Sequence, residues 1–347
     1  MQKKASNLNL IKASAAKKDE FYTQLSDIEK ELRHYTKHFK KKTVLCNCDD
    51  PKVSNFFHYF SHNFEKLGLK RLVTTCYKNC DADLFSHHTA ESGIYLEYDG
   101  DKDNNRVPDP DEIGIHKLKG DGDFRSEECV KLLKQADIVV TNPPFSLFRE
   151  YIGQLVKYQK KFLIIGNINA ISYKDVFKLI KENRIWLGAS IHSGDREFGV
   201  PDHYPLTAAG FRVDSAGRKF IRVKGVRWLT NMDYDERHEE MVLFNQYNPA
   251  KYPSYDNYDA IEVSKTADIP IDYDGAMGVP VTFLDKYNPD QFEILGITDR
   301  DNNSGLKIKT YTLEDVNNPG DLNRRGVIRT GSTYRPTYAR LLIRRKS

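Results

Sequence analysis

Cysteine is scarce in this chain: five in 347 residues, at Cys46, Cys48, Cys76, Cys80 and Cys129. An odd, sparse set excludes a disulfide-framework protein and fits a reducing compartment. Long apolar runs are missing as well. The longest aliphatic run, around Phe162–Ile165, falls far short of the roughly 20 residues of a membrane span, so no membrane partner is expected. The first twenty residues, MQKKASNLNLIKASAAKKDE, have no apolar stretch of the signal-peptide kind, and the expected location is cytoplasmic. There is no internal repeat or low-complexity tract, which removes solenoids and arrays. A large charge of one sign is also lacking, since 53 Lys+Arg stand against 49 Asp+Glu for a net +4.

Buryable surface is plentiful. Hydrophobic residues make up 39%, with 20 Tyr and 18 Phe, too many for a disordered chain. The length suits two domains. The charge is unevenly spread: residues 1–42 carry eleven Lys or Arg against five acids, and residues 322–347 carry eight with no acid. Basic ends suit phosphate contacts, and equally a solvated tail. We divide the chain into a basic N-terminal segment (1–42), a core (43–234) and a C-terminal region (235–347).

The spacing predicts a helix from about Ser26 to Phe39, with Ser26 or Asp27 as N-cap, then the strand Thr43-Val-Leu-Cys-Asn-Cys. An aromatic helix over about Val53–Leu67 is stopped by Gly68, and Leu69–Cys76 reads as the next strand. Residues 78–120 read as loop with at most a hairpin. Helices at Ser126–Gln135, Phe145–Lys157 and Ser172–Asn183 then alternate with strands at Asp137–Thr141, Lys161–Asn167 and Arg184–Ala189. Continuously apolar strands such as Ile138-Val-Val belong in a sheet covered on both faces, so the expected fold is α/β with a doubly wound, Rossmann-like sheet. Around Phe211–Val223 a hairpin is expected, Val226–Leu229 is a further strand, and beyond Asp235 an irregular α+β region follows. Trp186 and Trp228 read as core.

The strand Ala136–Thr141 runs into Asn142-Pro143-Pro144-Phe145. A chance match to this motif class is expected about once in a hundred chains of this length. In open α/β sheets the ligand site lies beyond the carboxyl ends of the strands, and the residue types fit methylation of an exocyclic nitrogen. An adenine amine is a poor nucleophile because its lone pair is delocalised into the ring. Two acceptors on its N–H groups, the Asn142 side-chain oxygen and the Pro143 carbonyl, would stabilise the positive charge that develops as the methyl arrives. Pro143 and Pro144 stiffen the turn and carry no N–H. Phe145 offers a face on which a base can stack. S-adenosylmethionine is the expected donor. Asp49 and Asp50, ending the first strand, suit its ammonium or ribose, or else cap the next helix. Asp123 and Phe124 suit its adenine, or else form an Asp/Gly turn. Phe21-Tyr22-Thr23 is a candidate lid.

At these residues the chain resembles the EcoRI-type family of adenine-specific DNA methyltransferases. The resemblance rests on Asn142-Pro143-Pro144-Phe145-Ser146, Phe21-Tyr22-Thr23, Cys46-Asn47-Cys48-Asp49-Asp50-Pro51 and the stretch from Gly275 to Gly296, and covers about residues 18–345. It implies a class I methyltransferase sheet, transfer to adenine N6 in a short site of double-stranded DNA with base flipping, and a donor pocket that includes Asn47. It also implies target recognition from the C-terminal part and a setting beside a cognate restriction endonuclease; the expected state is a monomer. Two features depart from the common methyltransferase pattern: no glycine-rich turn follows the first strand, and the second strand ends without an acid.

The same loop would serve other planar amines, so RNA adenine, cytosine N4 and protein glutamine remain alternative targets. A DNA-binding module without activity is the alternative of another class. Arg222, Lys224, Arg227, Arg324, Arg325 and Arg335 are the expected DNA contacts. No metal is expected: Cys46-x-Cys48 and Cys76-x3-Cys80, near His87 and His88, lack zinc-knuckle spacing and read as structural cysteines.

Overall fold

The structure is a computed structural model that describes residues 21–48, 54–76, 93–103, 105, 108–109, 111–192, 194–200, 204, 210–299 and 305–346. Asp49, Asp50, Cys80, His87 and His88 lie outside the described residues. The fold is mixed α/β with a large mixed sheet. The chain forms two compact units, one of residues up to Ala170 with Gly188–Asp233, the other of Ile171–Leu187 with Tyr234–Ser347.

In the first unit the strands lie in the order Ile113–Lys117, Ile94–Tyr98, Arg71–Cys76, Thr43–Cys46, Ile138–Thr141, Lys161–Asn167, Val226–Thr230. Thr43–Cys46 pairs in parallel with both Arg71–Cys76 and Ile138–Thr141, and Ile138–Thr141 in parallel with Lys161–Asn167. These are the apolar runs of the sequence, and Val44, Val139, Val140, Leu163 and Ile164 are fully buried. The flanking strands depart from a wholly parallel sheet: the 94–98/113–117 hairpin and Val226–Thr230 join antiparallel. The hairpin expected at most in the 78–120 stretch is thus part of the sheet. A neighbouring strand can satisfy an exposed ladder in either direction.

The first helix is Leu25–Leu32, starting just before the expected cap and tightening into a 3-10 turn over Arg33–His38. The expected Val53–Leu67 helix is two pieces, Asn55–His62 and Phe64–Leu67, broken where the Asn63 side chain bonds the Tyr59 carbonyl. Gly68 closes it in the left-handed conformation, φ +61°. Helix Glu127–Gln135 is capped by the Ser126 hydroxyl, which accepts from the Cys129 amide at 3.2 Å. A second small sheet contains Asp195–Val200, which the sequence pattern did not suggest, between Tyr22–Thr23 and Lys219–Lys224.

The second unit includes helix Lys174–Lys181 and a sheet ordered Ile261–Glu262, Met277–Pro280, Arg340–Arg345, Phe292–Ile297. Its interior is organised by a buried ion pair: Arg340 donates to Glu262 at 2.7 Å, and the Tyr255 hydroxyl donates to the other Glu262 oxygen. Gly278 and Gly326 admit the Tyr255 side chain, since a Cβ on Gly278 would run into its hydroxyl and one on Gly326 would lie 2.6 Å from its ring. No helix among the described residues is long and apolar enough to cross a membrane.

Candidate active site

From Thr43–Cys46 the chain crosses first to Arg71–Cys76 on one side and later returns to Ile138–Thr141 on the other. That reversal is a topological switch point, where open α/β sheets form their ligand crevice at the carboxyl ends of the strands. The residues at the two carboxyl ends are Asn47 and Asn142.

Asn142 is 5% exposed. Its Nδ2 donates to the backbone carbonyl of Phe21 at 2.7 Å. A carbonyl only accepts, so this bond fixes which way the amide points. Asn142 Oδ1 is left buried with no hydrogen-bond partner among the described residues. A buried orphan acceptor is costly unless something supplies a donor. The loop holding it is rigid: Pro143 is buried, and the Pro144 carbonyl is taken by the Leu147 amide at 3.0 Å. Phe145 begins a 3-10 turn that continues as helix Phe148–Lys157. Its half-buried ring meets the edge of Phe21, centroids 5.6 Å apart.

Phe21-Tyr22-Thr23 therefore sits against the Asn142–Phe145 loop. Tyr22 and Thr23 form a short strand paired with Phe198 and Gly199, and the Phe21 ring also packs on Phe198 and Tyr204. The Thr23 carbonyl accepts from Asn55 at 2.6 Å, while Thr23 Oγ1 is buried without a hydrogen-bond partner among the described residues. Thr74, at the register opposite Cys46, has a buried hydroxyl in the same condition.

Asn47 is buried, with its backbone carbonyl taken by the Thr141 hydroxyl and its side-chain oxygen by the Tyr151 hydroxyl. Burial holds the Tyr151 phenol well above its usual pKa, so it stays a donor. Tyr151 was missed in the sequence because, on the Phe148–Lys157 helix, it follows the apolar stripe and reads as core. The Phe124 ring packs edge-on against Tyr151 at 5.0 Å and is buried. Asp123 is held by Arg125, whose side chain donates to it at 2.6 and 2.8 Å; these bonds keep its carboxyl below the usual range. The structure thus joins Asn47, Thr141, Tyr151 and Phe124 in one network, and Phe21, Asn142 and Phe145 in another.

The expected DNA contacts divide. Arg222 and Lys224 are exposed on Lys219–Lys224, and Arg324 and Arg335 are exposed in the second unit, with Arg325 half-buried. Arg227 differs from expectation. It is 5% exposed and donates to the carbonyls of Val226 and His192 at 2.8 and 2.6 Å, because its strand lies within the sheet. Likewise Arg340 and Arg344 are engaged by Glu262 and Glu293, acids distant in the chain. Cys46 and Cys129 are buried and Cys48 is half-buried, and none of the three is in a disulfide.

The chain matches the family model described as adenine-specific methyltransferase EcoRI over residues 9–346. It is 53% identical over 307 residues to the type II methyltransferase M.EcoRI of Escherichia coli, covering 87% of this chain and 94% of that protein. It is 40% identical to the type II methyltransferase M.MgeORF184P of Mycoplasma genitalium and 39% identical to M.MpnI of Mycoplasma pneumoniae, each match covering 82% of this chain and 84% of the relative. No solved structure matches the chain.

Proposed function

This chain belongs to the adenine-specific EcoRI methyltransferase family, and from that premise we propose how its residues methylate adenine N6 in a short site of duplex DNA. The observation that carries the reading is Asn142: its amide is oriented by the Phe21 carbonyl and its oxygen is buried without a donor among the described residues. Asn142 Oδ1 accepts one N–H of the adenine amine. The Pro143 carbonyl accepts the other, since the neighbouring Pro144 carbonyl already serves the turn. Both acceptors strengthen as positive charge grows on nitrogen. The proton leaves afterwards to water, and no ionised base is required. Phe145 holds the extruded base by stacking.

S-adenosylmethionine supplies an electrophilic methyl on a sulfonium. The described residues fit such a polar donor, because Thr74 pairs in register with Cys46, the residue before Asn47, and the buried hydroxyls of Thr74 and Thr23 have no hydrogen-bond partner among the described residues. We assign Asn47, Thr23, Thr74 and the Phe21-Tyr22 pair to its pocket, with Asp123 and Phe124 bordering it and Asp49 and Asp50 following Asn47 in the chain. The sheet is then that of a class I methyltransferase. Arg222 and Lys224 in the first unit, and Arg324, Arg325 and Arg335 in the second, are proposed phosphate contacts. The setting proposed is protection of the site from a cognate restriction endonuclease, with the protein acting as a cytoplasmic monomer.

The test is expression in a host lacking its own adenine methylation, followed by single-molecule sequencing and by labelled-methyl transfer to DNA and RNA. The expected result is N6-methyladenine at one position of one short DNA motif, absent with Asn142→Ala. Methyl on cytosine N4, or label only in RNA, refutes it.

A further inference from the structure

The loop between the antiparallel strands Ile94–Tyr98 and Ile113–Lys117 gathers carboxylates away from the methylation site. Asp101, Asp103 and Glu112 bring one oxygen each to within 4.8 Å of the others. Glu112 is 6% exposed. Its Oε1 accepts the backbone N–H of Lys102 and, at 3.4 Å, that of Asp103. Its Oε2 is buried with no hydrogen-bond partner among the described residues. A carboxylate oxygen withdrawn from water beside two like charges is unfavourable unless a cation joins it.

The spacing of the chain points the same way. Counted from Asp101 as one, Asp103, Asn105, Asp109 and Glu112 stand at three, five, nine and twelve. These are the side-chain ligand positions of a twelve-residue calcium loop, with glutamate at twelve able to bind through both oxygens. The loop departs from that pattern in having Arg106 at six, where glycine is usual, and strands rather than helices on its flanks. The end of the loop is pre-formed: Asp109 Oδ1 accepts the amides of Asp111 and Glu112 at 3.0 and 3.1 Å. Tyr98, 2% exposed, lies in the field of this cluster, and its phenol is pushed up to about 12 by burial and by Glu112 and Asp101.

We propose that Asp101, Asp103 and Glu112 bind one calcium ion that ties together the loop between these two strands. Three carboxylates and no nitrogen or sulfur ligand favour a hard cation. Magnesium, which holds its waters and wants a regular octahedron, is the poorer fit. The missing glycine places the affinity at the weak end, with Kd on the order of 10⁻⁴ M.

The experiment uses the full chain stripped with chelator and titrated calorimetrically with calcium chloride and magnesium chloride. Parallel titrations with terbium chloride are read by tyrosine-sensitised emission. The expected result is one calcium per chain, a melting temperature that rises with calcium, and affinity at least about tenfold weaker in Glu112→Gln. Asp103→Asn, altering an exposed ligand, gives the same weakening should Glu112→Gln misfold. Tyr98→Phe should keep the calcium heat and lose most of the terbium emission. Absence of saturable calcium heat overturns the proposal, as does binding unchanged in both ligand variants or magnesium binding as tight as calcium.

Discussion

Replacing Asn142 by alanine should separate the rate of methylation from the stability of the fold. Among the described residues the amide donates to the Phe21 carbonyl at 2.7 Å and carries a buried oxygen with no partner. Losing the bond and stranding the Phe21 carbonyl costs about 1–3 kcal/mol. Removing an acceptor that was already stranded returns a similar amount, so the two largely cancel, and the net change in stability should stay within about 1 kcal/mol. The rate has no such compensation. An acceptor aimed at charge that develops only in the transition state contributes about 2.7–4 kcal/mol, so single-turnover methylation should fall roughly 10²–10³-fold. Donor binding should be nearly unchanged, because the amide acts on the target nitrogen. The assay combines single-turnover transfer on the duplex that the wild type modifies, calorimetric donor binding and urea denaturation. A rate within tenfold of wild type refutes the assignment. So does a stability loss above about 3 kcal/mol with a rate that merely follows the folded fraction, which would make Asn142 a structural amide.

Tyr151→Phe should destabilise the protein by about 1–3 kcal/mol, because it strands the buried Asn47 oxygen, and should raise the KM for the donor more than it lowers kcat; urea midpoints equal to wild type would refute the Asn47 role. For Asp123, held below the usual carboxyl range by Arg125, the lowered folded pKa means stability that is present above the ordinary aspartate value and lost as pH falls through the folded one. Arg125→Ala should therefore be slightly less stable than wild type at neutral pH, the gap closing below about pH 4; a gap independent of pH in urea titrations counts against the pair. Phe145→Ala should weaken DNA capture by about 1–3 kcal/mol, partly recovered when the target adenine is mismatched and cheaper to extrude. Equal losses on matched and mismatched duplexes would mean that the ring only packs against Phe21.

Local pattern carried much of this molecule. The apolar runs at Thr43–Cys46, Ile138–Thr141 and Lys161–Asn167 are strands, Gly68 ends its helix with positive φ, and Asn142-Pro143-Pro144-Phe145 follows a strand as its motif requires. Each of these depends on residues adjacent in sequence: period, turn chemistry and the stiffness of proline. The pattern was weaker where pairing direction or partner identity mattered. Nothing local distinguishes Asp195–Val200 from loop, or says that the 94–117 hairpin joins the main sheet, because ladder bonds form between backbones that carry no residue-specific mark.

Side-chain roles divide in the same way. The type of residue at 142 and the chemistry it can perform follow from the sequence alone. Its orientation is set by a backbone carbonyl 121 positions away, and a carbonyl is the same whatever residue bears it. Arginines show the converse: in sequence Arg222, Arg227 and Arg340 are equivalent charges, yet Arg222 is exposed, Arg227 is tied to two carbonyls and Arg340 is locked onto Glu262. Burying a guanidinium is tolerable only where acceptors converge on it, and that convergence comes from the folded chain.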